Sequence, residues 1–221
     1  MSTRPSPAQA TPTTPATSST ASSTSHTRLP TPFLDKAPSA HVPDHHPRRV
    51  ITLRELRPDD AADALAIVGD DRVTQWLSFD SRDQAATVAM VEGAVSRAQL
   101  HPRTEYYLAV ADTSDRMIGF ARLGLTGHQA AKLGYAIGAD HWGHGYATDA
   151  ARTIIDYGFR ELKLHRVTAA IGPDNASSIG VAKRLGMQYE GRLRDHVFTN
   201  GAWRDSQLYS VLAPEWNDTA G

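Results

Sequence analysis

The stretch from Gly134 to Thr148, Gly-Tyr-Ala-Ile-Gly-Ala-Asp-His-Trp-Gly-His-Gly-Tyr-Ala-Thr, constrains this chain more than any other. It reads as a short apolar strand, a tight glycine-bearing turn and the start of a long helix. The first N–H groups of a helix lack intrahelical partners and sit at the positive end of its dipole, so such a junction attracts anions. Gly143 and Gly145 carry no Cβ, which lets a phosphate approach the main chain closely. A Gly-x-Gly after a strand also mimics a dinucleotide-binding turn. Here the third glycine is replaced by Thr148, and no alternating βαβ series surrounds the motif. The plainest alternative is a glycine turn that only reverses the chain.

The chain of 221 residues is long enough for one well-cored domain with length to spare. The surplus lies in residues 1–49, which are rich in Ser, Thr, Pro and Ala and hold nine of the thirteen prolines. Without apolar periodicity this stretch cannot offset its ordering entropy, and it is expected to be a disordered tail. It lacks the apolar centre of a secretory signal, and it is poor in Arg for an organelle transit peptide. His41, His45 and His46 cluster loosely there, as a polar tail with at most adventitious metal affinity. A net charge of −1 without long single-sign blocks argues against nucleic acid. No stretch is apolar for long enough to cross a membrane. The absence of cysteine excludes a thiolate nucleophile, a disulfide framework and a cysteine-held metal, and fits a cytoplasmic protein. No metal site is expected.

Val50–Leu56 alternates as a half-buried strand does, and Pro58 suits the first turn of a helix. Asp70–Asp80 reads as a connection, unusual in carrying Trp76, Leu77 and Phe79. Ser81 is the expected cap of a helix over about 82–100. Tyr106–Val110 and Met117–Leu125 form a hairpin, and Leu133–Ile137 a fourth strand. The helix after the glycine turn buries Ala150, Ile154, Ile155 and Phe159 at helical spacing. A fifth strand at His165–Ile171 leads to a shorter helix, Asn175–Leu185, closed by Gly186. Two last strands flank Thr199-Asn200-Gly201, a strong hairpin signal.

The element order β-α-α-β-β-β-α-β-α-β-β and these motifs resemble the GNAT acetyltransferase superfamily, in its ribosomal-protein N-terminal acetyltransferase (RimJ/RimL-like) branch. The resemblance covers about residues 50–216, with 217–221 left as a C-terminal tail. It implies an α+β fold: a mixed, mostly antiparallel sheet of about seven strands with four helices on its faces, splayed between the fourth and fifth strands. The superfamily's acyl-CoA signature, Gln/Arg-x-x-Gly-x-Gly/Ala, aligns with Trp142, Gly143, His144, Gly145, Tyr146 and Ala147. Trp142 stands where Gln or Arg is usual, as is common in this branch. The resemblance thus implies acetyl-CoA as cosubstrate, with its pyrophosphate on the amides from Gly143 to Thr148 and its pantetheine arm in the gap beside Ile137. A backbone N–H at Ile137 would steady the thioester oxygen as charge develops there. Asn175 and Ser178 match the branch's Asn-x-x-Ser…Leu-Gly-Phe pattern, with Met187 replacing Phe. Asn175 would bind the pantetheine, and Ser178 would protonate the leaving thiolate. Both residue types are also ordinary helix caps.

The family's usual Tyr acid position is Ala182, and a Glu base found on the sixth strand of some relatives corresponds to Val197. Asp195, two residues away on an alternating strand, shares the face of position 197 and is the candidate base. His196 has the better intrinsic pKa, but simple alternation points it the other way; Glu105 and Asp205 are further candidates. A weak base suits an acceptor of low pKa: an α-amine titrates near 7.7–8.0, a lysine near 10.4. Trp76, Phe79 and Trp203 are candidate walls of the acceptor side. The expected activity is direct acetyl transfer to a primary amine, on a protein N-terminus or a small molecule. A non-catalytic acyl-CoA-binding regulatory module on the same fold is the alternative. Relatives also imply a homodimer as one arrangement.

Overall fold

A computed structural model describes residues 51–218 of the chain. The expected tail at 1–49, its histidine cluster and residues 219–221 lie outside the described residues. Seven strands form one sheet in the order β1-β2-β3-β4-β5-β7-β6. They are β1 (Thr52–Glu55), β2 (Glu105–Ala111), β3 (Met117–Gly127), β4 (Ala130–Ile137), β5 (Arg166–Ile171), β6 (Gln188–Thr199) and β7 (Ala202–Leu212). Every pairing is antiparallel except that of β4 with β5.

Side-chain alternation divides the sheet into two faces with separate cores. On one, Ala131, Leu133 and Ile137 of β4 and Val167, Ala169 and Ile171 of β5 pack beneath α4 (Tyr146–Arg160) and α5 (Ala176–Arg184). Ala150, Ile154, Ile155 and Phe159 supply the buried stripe of α4, as their spacing predicts. Ile154 and Ile155 are fully enclosed, and each contributes on the order of 1.5–3 kcal/mol by burial. On the other face, α1 (Ala61–Val68), α2 (Asp71–Thr74) and α3 (Gln84–Ala98) cover Ala109, Phe120 and Ala136.

Six α-helices are present among the described residues, two more than the sequence led us to expect. The first addition is α2, inside the segment read as a connection: Asp70 accepts from the Arg72 N–H at 2.9 Å and starts one turn. The second is α6 (Ala213–Asp218), which runs past the expected domain end; Trp216 donates to Asp156 at 2.6 Å and ties it to α4. Ser81 does not cap α3. Asp83 does, accepting from the Ala86 N–H at 2.8 Å, while the Ser81 hydroxyl bonds Thr74 and Asp71. The Asn200-Gly201 turn forms as expected, with positive φ at both residues (52° and 72°).

β4 and β5 pair only from Ala130–Arg166 to Lys132–Thr168, although β4 runs on to Ile137 and β5 to Ile171. The two strands therefore part over their C-terminal halves. The long β6–β7 hairpin reaches beyond the end of β5 and folds back onto the α2 region. Arg204 donates to the carbonyls of Gln75 (2.5 Å) and Leu77 (2.6 Å). Asp80 accepts from the Thr199 hydroxyl (2.8 Å) and the Asn200 N–H (2.7 Å).

Candidate active site

The parting strands open a cleft of about 810 Å³. Its lining combines the end of β4 (Tyr135, Ala136, Ile137), the turn (His141, Trp142, Gly143, Gly145), and the first turn of α4 (Tyr146, Ala147, Thr148). The β5–α5 junction (Asp174, Asn175, Ser178) and α2 with its sequel (Val73, Trp76, Leu77) complete it.

Gly145 begins α4 in the left-handed region at φ 82°, and Gly143 matches it at φ 80°. No side chain caps this helix. The Tyr146 and Ala147 amides at its start therefore lack the side-chain partner that Asp70, Asp83 and Asn175 provide at other helices, while the Thr148 N–H bonds the Gly145 carbonyl at 2.9 Å. The Thr148 hydroxyl accepts from Arg184 Nε at 3.2 Å, which sets a guanidinium beside those amides. Sequence reasoning missed Arg184; it lies one turn beyond Gly180 and Val181 on the face of α5 that lines the cleft. Free amides, a positive dipole end and a guanidinium form a donor set that fits a pyrophosphate.

The ladder between β3 and β4 determines where the Ile137 backbone points. Gly138 donates to the Ile118 carbonyl at 2.9 Å, and Ile137 stands opposite Gly119. Orientation alternates along an antiparallel pair, so the N–H and C=O of Ile137 face away from β3, into the gap. Trp142 Nε1 donates to the Ile137 oxygen at 2.7 Å, leaving the N–H of that residue directed at the cleft. The same alternation exposes the backbone of Tyr135 to the gap, so an extended ligand arm could pair there as a further strand.

Asn175 is buried at 9% exposure and caps α5, its side-chain oxygen accepting from the Ser178 N–H at 3.0 Å. The capping role and the ligand role divide between its two atoms: Oδ1 is engaged, and Nδ2 remains to donate. Ser178 lines the cleft half-buried. Tyr135, not anticipated as a site residue, reaches across the gap and donates to the Ser178 carbonyl at 3.3 Å. Burial holds its phenol pKa above the ordinary value, so it stays protonated.

Several expected residues lie elsewhere. His144 is exposed, stacked on Tyr146, and does not line the cleft. Of the acceptor-side aromatics, Trp76 lines the cleft; Phe79 packs on the second core, and Trp203 is exposed against Phe198. The strand-alternation argument for Asp195 fails at a bulge. β6 shifts register between Leu193 and Val197, and Asp195 sits there at φ 45°, exposed, its N–H bonded to Asp205. The bulge turns His196 inward instead, with Nδ1 3.0 Å from the Ser206 hydroxyl. Burial, with Lys132 as the second cause, lowers the His196 pKa from its ordinary value and keeps the ring neutral. Ser206 lies one residue beyond the Gln207–Ile171 pair, so it borders the end of β5 where the strands part.

Strands that part over an uncapped helix N-terminus, with backbone donors along the gap, suit an anionic ligand with an extended arm, the shape and charge of an acyl-CoA. Comparison with known proteins agrees. The profile of the Acetyltransferase (GNAT) domain matches residues 50–188, and the chain belongs to the GNAT acetyltransferase family. It is 33% identical to the probable N-acetyltransferase YjcK of Bacillus subtilis, over 76% of this chain and 96% of that protein. It is 30% identical to the ribosomal protein uS5-alanine N-acetyltransferase of Escherichia coli, over 50% of this chain and 59% of that one. Mycobacterium smegmatis RimJ, solved in complex with CoA-disulfide, superposes with a TM-score of 0.67 at 26% identity, covering 75% of this chain and 83% of RimJ. The protein is thus an N-acetyltransferase by family, related to the RimJ/RimL-like enzymes, and the CoA-bound neighbour supports acetyl-CoA as its cosubstrate. Among the described residues no group of side chains is arranged to hold a metal, and no helix is long and apolar enough to cross a membrane.

Proposed function

We propose that this enzyme acetylates the α-amine of a protein or peptide N-terminus by direct attack on acetyl-CoA within a ternary complex. The first turn of α4 and Arg184 bind the pyrophosphate, and Asn175 Nδ2 orients the arm. Ile137 N–H donates to the thioester oxygen as it gains negative charge, a fixed dipole aimed where charge develops. His196, held by Ser206, takes the proton released by the attacking nitrogen, and the Ser178 hydroxyl gives one to the departing sulfur and regains it from solvent. Asp195 is set aside as the base because the bulge in β6 leaves it on the outside.

The observation that carries the choice of acceptor is His196 itself. A neutral imidazole with a lowered pKa is a weak base, matched to an amine titrating near 7.7–8.0 and poorly matched to a lysine near 10.4. The uS5-alanine acetyltransferase among the relatives supports the same choice. The test is thiol release from acetyl-CoA against peptide N-termini, lysine peptides, polyamines and aminoglycosides. Turnover concentrated in peptides with a free N-terminus is expected. Turnover of polyamines or aminoglycosides with inert N-termini would overturn the acceptor assignment. CoA binding with no acceptor consumed would favour a regulatory module.

A further inference from the structure

One row of the sheet crosses from Tyr107 on β2 to Arg122 on β3 and Gly134 on β4. All three side-chain positions lie on the α1–α3 face, opposite to Leu133 and Tyr135. At Gly134 no heavy atom comes within 4 Å of the place a Cβ would occupy, so the sheet floor is open there. Lys132, exposed, lies on the same face two residues earlier. Ala136, two residues further along this face, and Ile137 line the cleft where the strands part.

Its far end is cationic. Glu105 bonds both Arg97 (2.7 Å) and Arg122. Burial alone would raise the Glu105 pKa, but these guanidinium groups outweigh it and hold the carboxyl below its usual range. A third guanidinium, Arg82, also acts on the neighbouring Tyr107 phenol. It lies over the Phe79 ring at 4.7 Å, and its Nε is buried with no hydrogen-bond partner among the described residues. An unsatisfied buried donor costs free energy unless a ligand completes it. The Glu105 carboxylate is thus shared between Arg97 and Arg122, with Arg82 beside Tyr107 and Lys132 beyond.

We propose that the acceptor is an extended peptide whose N-terminal amine enters the gap at Ile137 and whose third to fifth residues include an acidic side chain, received by Arg82, Arg122 and Lys132. This rests on the acetyl-acceptor reading of the same cleft. Spacing sets the position of the acid. Gly134 and Lys132 precede Ile137 by three and five residues, a span of about 10–17 Å along an extended strand. A free amino acid, whose amine and carboxylate share one carbon, cannot bridge that distance, and a polyamine meets the wrong charge.

The experiment uses the full chain and peptides identical except for Glu, Gln or Lys at the fourth position, with free glutamate and spermidine alongside. Acetyl-CoA turnover is measured together with peptide binding to the CoA-loaded protein by calorimetry. The Glu peptide should exceed the Gln peptide in kcat/KM by roughly tenfold or more, as expected for a charged hydrogen bond. Arg82→Gln should shrink that ratio, and Lys132→Gln, at an exposed position, should shrink it less. Equal use of the Glu and Gln peptides, or a preference for the Lys peptide, spermidine or free glutamate, overturns the proposal while acetyl transfer stands. Selective Glu-peptide binding that Arg82→Gln abolishes, with no turnover, upholds this groove and overturns the enzymatic reading instead.

Discussion

The indole N–H of Trp142 is 2.7 Å from the carbonyl oxygen of Ile137 and ties the glycine turn to the end of β4. The indole N–H holds the Ile137 carbonyl in place, so the tryptophan's contribution here is positional. Trp142→Phe removes the donor and keeps most of the ring. We expect kcat to fall about tenfold, in line with the loss of one hydrogen bond of about 0.5–1.5 kcal/mol and some freedom regained at Ile137. Dissociation of CoA, measured by calorimetry, should change less than kcat does.

Asn175 allows its two roles to be separated. In Asn175→Asp the carboxylate still accepts from the Ser178 N–H, so thermal stability should remain near wild type. The lost Nδ2 donor and the added negative charge should weaken CoA binding by tenfold or more. Asn175→Ala should lose both functions, with a stability cost of about 1 kcal/mol visible in denaturant titration. An Asp variant that binds CoA normally would reduce Asn175 to a cap.

Gly145 at φ 82° has open space around its missing side chain, so any cost of substitution there comes from the backbone alone. Gly145→Ala should destabilise the fold by about 1–2 kcal/mol, and it should weaken CoA binding more than Gly201→Ala, placed at a similar φ in the distant hairpin. Comparing the two variants by CoA titration separates backbone strain from damage to the anion site.

The His196 assignment makes a pH prediction with a definite sign. Both the imidazole and the acceptor α-amine must be neutral for attack. Log kcat/KM should rise with pH at a slope of about two below the His196 pKa, which lies under 6.5, and then at about one up to the amine's pKa near 7.7–8.0. His196→Gln should remove the steeper segment and lower kcat by roughly a hundredfold. Linkage gives a second readout. The folded pKa is the lower one, so the unfolded chain binds more protons between the two values, and the stability His196 contributes is lost as pH falls through that window. An unchanged profile in the variant would remove His196 from the mechanism.

The parts of the molecule legible in the sequence are those governed by local rules. The α4 stripe, the Asn200-Gly201 turn and the glycine-marked helix start each follow from a few neighbouring residues, and the structure reproduces them. The helix α2 escaped notice because four residues carry no periodicity, and its only mark is the Asp70 cap. Ser81 and Asp83 are both good caps in sequence; packing decides between them by giving the Ser81 hydroxyl to Asp71 and Thr74. The bulge between Leu193 and Val197 has no sequence signature, since Asp195 rather than glycine takes the positive φ. That single inserted irregularity exchanges Asp195 for His196 on the inner face. Arg184 and Tyr135 become site residues only once the gap brings β4 against α5.

The bonds from Asp80 to Thr199 and from Arg204 to Leu77 join segments 119 and 127 residues apart. All the coenzyme-facing groups on β4, α4 and α5 lie before residue 185, so a growing chain carries them well before its last hairpin. The hairpin that forms the remaining wall follows later in the chain and closes a loop of more than a hundred residues, a long-range contact of the kind that forms slowly. β7 also pairs with β5 and buries Tyr209 and Val211 in the core beneath α4 and α5, so the hairpin that completes the cleft completes the fold in the same step.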